Sequence, residues 1–265
     1  MTTGPPRRSI REAVRATSLA LPAALFVLLP LVALALTSPW SRAIGTFRRS
    51  GALTAALVSV KVTAEATALA FLVGFPAAWA LARLRLRARN LVRAVVIMPI
   101  VLPPVVAGVA LLTALGRLGF VGRALGAIGV RLPFTTAGAA VAAAFVSFPF
   151  LVLGAEAGLR RMGTGLDDAA ATLGASAWYR FRRVTMPLLR PELGAAVLLT
   201  WARALGEFGA TITFAGNLKG TTQTLPLAVF QALQVDPGGA QLISLLMVAV
   251  SVVVLAVAGG RLLGR

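Results

Sequence analysis

Neither cysteine nor histidine occurs anywhere in the 265 residues. Their absence removes disulfides, haem and iron–sulfur ligation and the usual zinc sites. Without a thiol, the sequence carries no sign of redox compartment. Acidic side chains are scarce, eight against 26 Lys and Arg, for a formal net charge of +18. Charged residues make up only 13% of the chain, against roughly 25% in a soluble domain. What is abundant is apolar: 58% of the residues are hydrophobic, in long runs that recur along the whole length. This is the composition of an integral membrane protein. A charge of +18 by itself suggests nucleic acid. The basic residues, however, fall in short clusters between apolar runs, the pattern that orients helices in a bilayer, so nucleic acid is rejected as a partner.

Six candidate spans lie near 18–37, 52–82, 92–115, 135–158, 192–215 and 240–260. Each reaches the about 20 residues needed to cross the hydrocarbon core, and the second is long enough to tilt or project. The expected fold is therefore an all-α integral membrane protein forming a single transmembrane domain over 1–265. Prolines interrupt several spans, at Pro22, Pro30, Pro76, Pro99, Pro103, Pro104 and Pro149. Neighbouring helices can satisfy the carbonyls they free, and a simple kink is the expectation for each.

Charge sets the orientation. Arg7, Arg8, Arg11 and Arg15 precede the first span. Arg83, Arg85, Arg87, Arg89 and Arg93 follow the second, Arg160, Arg161, Arg180, Arg182, Arg183 and Arg190 follow the fourth, and Arg261 and Arg265 close the chain. They outnumber Arg42, Arg48, Arg49, Arg117, Arg123, Arg131 and Lys219 on the other side. The positive-inside rule then puts both termini and residues 159–191 in the cytoplasm. The basic arm, the apolar stretch and Ala33-Leu34-Ala35 imitate a cleavable signal peptide, but the length and prolines of that stretch favour a retained first helix.

The longest cytoplasmic connection contains DDAAATLGASAWYRFRRVTMPLLRP, residues 167–191. Thr164 followed by Asp167 reads as a capping-box-like helix start, and Asp167 and Asp168 suit the positive end of the helix dipole. Gly174 ends or bends that helix, Ser176 caps a second one, and Pro187 and Pro191 are expected to stop it before the fifth span. In the second piece Ala177, Trp178, Phe181 and Val184 recur at helical spacing among arginines. Such an element either lies on lipid headgroups or inserts into a groove of a cytoplasmic protein.

The spacing of this segment resembles the EAA loop of ABC importer permeases: Glu-Ala-Ala, three residues, Gly, nine residues, Ile, one residue, Leu-Pro. Asp168, Ala169 and Ala170 take the first places, Gly174 follows with Ala175 beside it, and Val184, Met186 and Pro187 stand at the Ile, Leu and Pro positions. Asp for Glu, Val for Ile and Met for Leu are the departures. The resemblance implies that these residues form a coupling helix between spans four and five that docks on a cytoplasmic ABC ATPase. It also implies a homodimer or a heterodimer of related chains, because two ATPases need two docking elements. The chain has no GxxxxGK[ST] phosphate loop, so ATP and its magnesium belong to the partner, and this chain is no enzyme by itself and binds no cofactor.

A second stretch, WARALGEFGATITFAGNLKGTTQTLPLAVFQALQ at 201–234, resembles the fifth span and external loop of molybdate permeases. Sulfate permeases share the ARALGEFGA-like part, and residues 215–234 look closer to the molybdate branch. The resemblance implies an importer for molybdate or tungstate in the cell membrane, with sulfate as the rival cargo, served by an extracytoplasmic binding protein that selects the anion. Arg203 and Glu207, four apart, are read either as a pathway element or as a self-neutralising ion pair, and the pair is favoured; the same holds for Lys61 and Glu65. Thr211, Thr213, Thr221, Thr222, Gln223 and Thr224 are candidates for lining an exit into the pore, with turn chemistry around Gly216-Asn217 and Gly220 as the plainer account. A secondary transporter would need coupling carboxylates, and only Glu65 and Glu207 are counted within the spans. An intramembrane enzyme would need a base beside Ser59 or Ser147, and none is seen.

Overall fold

The computed structural model describes residues 10–84 and 87–262, with side chains described from Leu21 to Val257. Arg7, Arg8, Arg85 and Arg265 lie outside the described residues, as do the side chains of Arg11, Arg15 and Arg261. Helices α1 to α7 cover Ile10–Thr37, Ala43–Ser50, Ala52–Arg83, Arg89–Val101, Pro104–Leu115, Phe120–Ala127 and Thr136–Met162. Helices α8 to α13 cover Gly165–Thr172, Ala177–Arg180, Met186–Leu205, Gly209–Ala215, Leu225–Val235 and Pro237–Leu262. Among the described residues there is no strand.

The centre is the pairing of α3 with α7, and α10 packs against both. These helices meet through small side chains. The buried face of α3 includes Ala52, Ala55, Ser59, Val62, Ala66, Ala70, Gly74, Ala78 and Leu81, a stripe at steps of three and four that keeps one face inward. On α7, Gly154 and Gly158 face α10. A Cβ on Gly154 would lie 2.6 Å from the Ala196 Cβ, and one on Gly158 would lie 2.8 Å from Glu192 and Leu189. This is the small-xxx-small contact by which membrane helices approach closely.

Among the described residues three helices, α3, α7 and α13, are each long and apolar enough to cross a bilayer, and two bent pairs add up to two more. At 32 residues, α3 is about 48 Å long, well beyond the about 30 Å core. The spans expected at 92–115 and 192–215 are not single helices. Helix α4 meets α5 at 113° across Leu102-Pro103, where consecutive prolines deny the chain its helical hydrogen bonds. Helix α10 starts at Met186, stops at Leu205, and α11 resumes at Gly209. The half-helices α5 and α11 then cross in contact: a Cβ on Gly108 would sit 2.6 Å from the Thr213 Cβ, and one on Gly209 2.7 Å from the Pro104 Cβ. Also unforeseen is α12, an apolar helix of 11 residues that folds back against α13.

Candidate functional site

At the α8–α9 end the chain leaves α7 at Gly163 and returns at α10. Thr164 stands before α8, but its side chain makes no capping bond; the Thr164 carbonyl instead accepts from the Asp168 amide at 2.8 Å. Helix α8 ends in a Schellman closure, with the Gly174 amide bonded to the Ala171 carbonyl and the Ala175 amide to the Ala170 carbonyl, both at 3.0 Å. Gly174 takes φ +82°, the left-handed geometry such a closure requires. Ser176 caps α9, its hydroxyl accepting from the Tyr179 amide at 3.3 Å. Pro187 and Pro191 do not stop the second piece. The chain passes from α9 through a π-helical turn, Phe181–Thr185, straight into α10. Pro187 directly follows the π-turn, and the helix continues past it although its nitrogen donates no bond.

This segment is fastened to the spans by aromatic packing. Phe181 sits edge-on to Trp79 at 5.5 Å and against Phe75 at 6.4 Å, both on α3, with Trp178 stacked on its other side at 5.6 Å. Arg180 pairs with Asp167 at 3.7 Å and so ties α9 to α8. Met186 packs on the buried cluster of Leu81, Leu159 and Leu189. Of the sequence-identified coupling residues, Asp168, Ala169, Gly174 and Pro187 are exposed, and Ala170, Ala175, Val184 and Met186 are half-buried. Beside them Leu166, Leu173, Trp178 and Tyr179 stand open, Leu173 at 88% exposure.

One residue that sequence reading passed over lies just behind this segment. Glu156, on the last turns of α7, is buried to 1% exposure and, with Glu192 at the start of the fifth span, adds to Glu65 and Glu207 among the carboxylates of the candidate spans. Arg160 bonds its Oε1, while Arg89 and Arg93 of α4 approach its two oxygens at 3.8 Å. Arg89 also donates to the Leu81 carbonyl at 2.6 Å. The cluster holds the start of α4 against α3 and α7. Its signal was available: an acid four residues before Arg160 on an otherwise apolar helix.

The break between α10 and α11 has its own ion pair. Arg203 Nη2 lies 2.9 Å from Glu207 Oε2, and the other oxygen, Oε1, accepts from the Ala210 amide at 2.8 Å. Glu207 therefore neutralises Arg203 and satisfies an orphan donor in the first turn of α11. Thr211 is buried, and Thr213 bonds the Gly209 carbonyl of its own helix at 2.8 Å. Lys61 and Glu65 stand 4.0 Å apart on α3, both well exposed.

The loop after α11 is closed on itself. Gly216 and Gly220 have φ +74° and +77°. The Leu218 carbonyl accepts from the Thr221, Thr222 and Gln223 amides, and the Thr222 hydroxyl accepts from the Leu218 amide at 2.9 Å. Gln223 donates to Gln231 at 2.6 Å. The Leu225 amide reaches Ser59 of α3 at 2.7 Å, and Thr136 of α7 donates to the Thr221 carbonyl at 2.9 Å. Thr222, Gln223 and Thr224 are buried and Thr221 is exposed.

Among the described residues the chain is thus an all-helical bundle with broken spans and a segment of exposed apolar side chains between α7 and α10. The chain belongs to the family described as binding-protein-dependent transport system inner membrane component, whose profile matches residues 70–263. It is 47% identical over 158 residues to the molybdenum transport system permease protein of Mycobacterium tuberculosis, 60% of either chain. Against the molybdenum permease protein of Escherichia coli it is 44% identical over 137 residues, 51% of this chain and 59% of the relative. A sulfate transport permease protein of Synechococcus elongatus is 43% identical over 129 residues, 49% of this chain and 45% of the relative. The matched region thus spans 60% or less of these relatives' lengths. The fold is shared with a bacterial ABC transporter involved in alginate import, at a TM-score of 0.67 and 19% identity, covering 94% of this chain and 95% of the other.

Proposed function

We propose that this chain is the membrane-spanning subunit of an ATP-driven importer of molybdate or tungstate. The observation that carries the reading is the 47% identity to a molybdenum transport permease over 158 residues, above the 38–43% to sulfate permeases. The subunit is a homodimer. Each copy offers its α8–Gly174–α9 segment to one cytoplasmic ATPase, and an extracytoplasmic binding protein delivers the anion at the opposite end. Both termini lie in the cytoplasm, by the positive-inside rule. The chain binds no cofactor; ATP and magnesium act on the ATPase.

The geometry supports a specific route for force. The exposed Leu166, Leu173, Trp178 and Tyr179 supply the apolar contacts an ATPase cleft would cover. Closure of the ATPases then moves a segment that cannot slip. Phe181 is wedged against Phe75 and Trp79 of α3, and the unbroken π-turn transmits motion into α10. Rigid movement of α3 and α10 switches access from one side to the other. Arg203, Glu207, Thr211 and Thr213 sit at the α10–α11 break, where irregular backbone in a membrane is tolerated beside a pathway.

The test is ATP-dependent uptake of labelled molybdate by the complex reconstituted with its ATPase and binding protein. Competition by tungstate and none by sulfate is the expected result. Strong competition by sulfate would keep the transporter class and replace the cargo, in line with the 43% identity to a sulfate permease. Uptake independent of ATP would overturn the class.

A further inference from the structure

The seven-odd turns of α7 separate the docking segment from a second basic region that the transport reading leaves unused. Arg117, Arg123 and Arg131 line one cavity of about 230 Å³, with Leu115, Val130 and Pro133 as apolar walls and Gly122 and Gly126 between them. No Asp or Glu lines it. Among the described residues none of the three arginines has an acidic partner within 4.0 Å.

Local backbone forces this convergence. A Cβ on Gly122 would lie 1.8 Å from the Gly116 carbonyl oxygen, so only glycine lets α6 press onto the turn that carries Arg117. The far end of α6 closes in a Schellman motif, the Gly129 amide to the Gly126 carbonyl at 3.1 Å and the Val130 amide to the Leu125 carbonyl at 2.9 Å. Gly129 supplies the left-handed φ of +79°. The chain reverses there and brings Arg131 back towards Arg123. Three like charges gathered in a concavity repel one another. A cleft of one sign with apolar walls focuses its field outward and raises the local concentration of counter-ions. Guanidinium groups, planar and always charged, suit oxyanions through paired N–H donors.

We propose that this cavity is a capture site for a small tetrahedral dianion on the face opposite the ATPase docking segment. The anion rests there, held by Arg117, Arg123 and Arg131, before it enters the bundle. The identity of that anion with the cargo rests on the proposed function; the site itself does not. A concave cavity with a glycine floor fits a small ion better than the convex acidic face of a protein.

The experiment is equilibrium binding of tungstate to the full chain in nanodiscs of zwitterionic lipid. Wild type is compared with the triple variant Arg117→Gln, Arg123→Gln, Arg131→Gln, and with the three Arg→Lys changes. Wild type is expected to bind one tungstate per chain, less tightly as salt is raised. The Gln variant should bind at least about tenfold more weakly, and the Lys variant should fall between. Equal binding by wild type and the Gln variant overturns the site. In wild type alone, tungstate should protect these three arginines from phenylglyoxal, read by peptide mapping, which keeps the test valid should the Gln variant misfold; no protection overturns the site. If wild type binds no tungstate while neutralising the arginines releases the binding protein, the site is overturned in favour of a protein contact. If tungstate binds and the Gln change abolishes it, but the assembled complex imports neither tungstate nor molybdate, the site stands and the proposed cargo falls.

Discussion

Two polar stretches behave in opposite ways. Residues 163–185 expose their apolar side chains, with Leu166, Leu173, Trp178 and Tyr179 open. Residues 216–224 bury their polar ones, with Thr222, Gln223 and Thr224 inside. The first leaves an exposed apolar patch, which the proposed docking of an ATPase would cover. The second is mostly satisfied within the chain: its amides converge on the Leu218 carbonyl and its end is pinned to Ser59, while Asn217 Oδ1 and Thr224 Oγ1 stay buried without a partner. Polarity in this protein is thus a poor guide to function. Under the proposed docking role the contacting residues are the oily ones outside, while several hydroxyls and amides inside hold the backbone in place.

That contrast can be broken by mutation. The largest effect is expected from Gly174→Trp. It should leave membrane insertion intact and abolish capture of the ATPase in a pull-down, because it combines a left-handed φ with bulk at the exposed turn; normal assembly would remove the docking role. Next comes Glu207→Ala, which strands Arg203 and the Ala210 amide together. It should cost roughly 3 kcal/mol in thermal unfolding in detergent. Arg203→Ala combined with Glu207→Ala should be milder than Glu207→Ala alone, and additive losses in transport would instead assign the two residues separate pathway roles. Ser59→Ala should cost about 1–2 kcal/mol by leaving the buried Leu225 amide unpaired. Hydrogen exchange at Leu225 reads this directly, and unchanged protection would show that Ser59 is not the latch. The smallest effect on stability belongs to Leu173→Ser, within about 0.5 kcal/mol, yet it should weaken ATPase capture. A large loss of stability there would mean that the side chain is covered within the chain.

Much of the α8–α9 segment was legible in the sequence alone, because its cues are local. Gly174 was expected to end α8 and Ser176 to cap α9, and both do. The failures are equally local in cause. Thr164 leaves its capping role to a backbone bond, and Pro187 and Pro191 lie inside a helix that the π-turn carries on from α9, so neither ends it. Glu156 was passed over because an acid at the end of an apolar run looks like the run's edge. Only the approach of Arg89 and Arg93 from α4 makes it the centre of a cluster.

The sequence by itself determined the solvent and the class. Long apolar runs, scarce acids and clustered arginines require a bilayer, and the Asp168-Ala169-Ala170, Gly174, Met186-Pro187 spacing points to an ATPase partner. Tertiary structure decided what the spans do. Two runs that read as continuous helices are broken at 102–103 and 206–208, and their halves cross through Gly108 and Gly209. Hydropathy reports only that a segment tolerates lipid. It does not report whether the segment is straight, because a bend depends on which neighbour can satisfy the carbonyls and fill the space that proline and glycine leave. The three-arginine cavity was hidden for a related reason: Arg117, Arg123 and Arg131 lie within 15 residues but on different local structures, and only the Gly122 contact and the turn at Gly129 make them line one cavity.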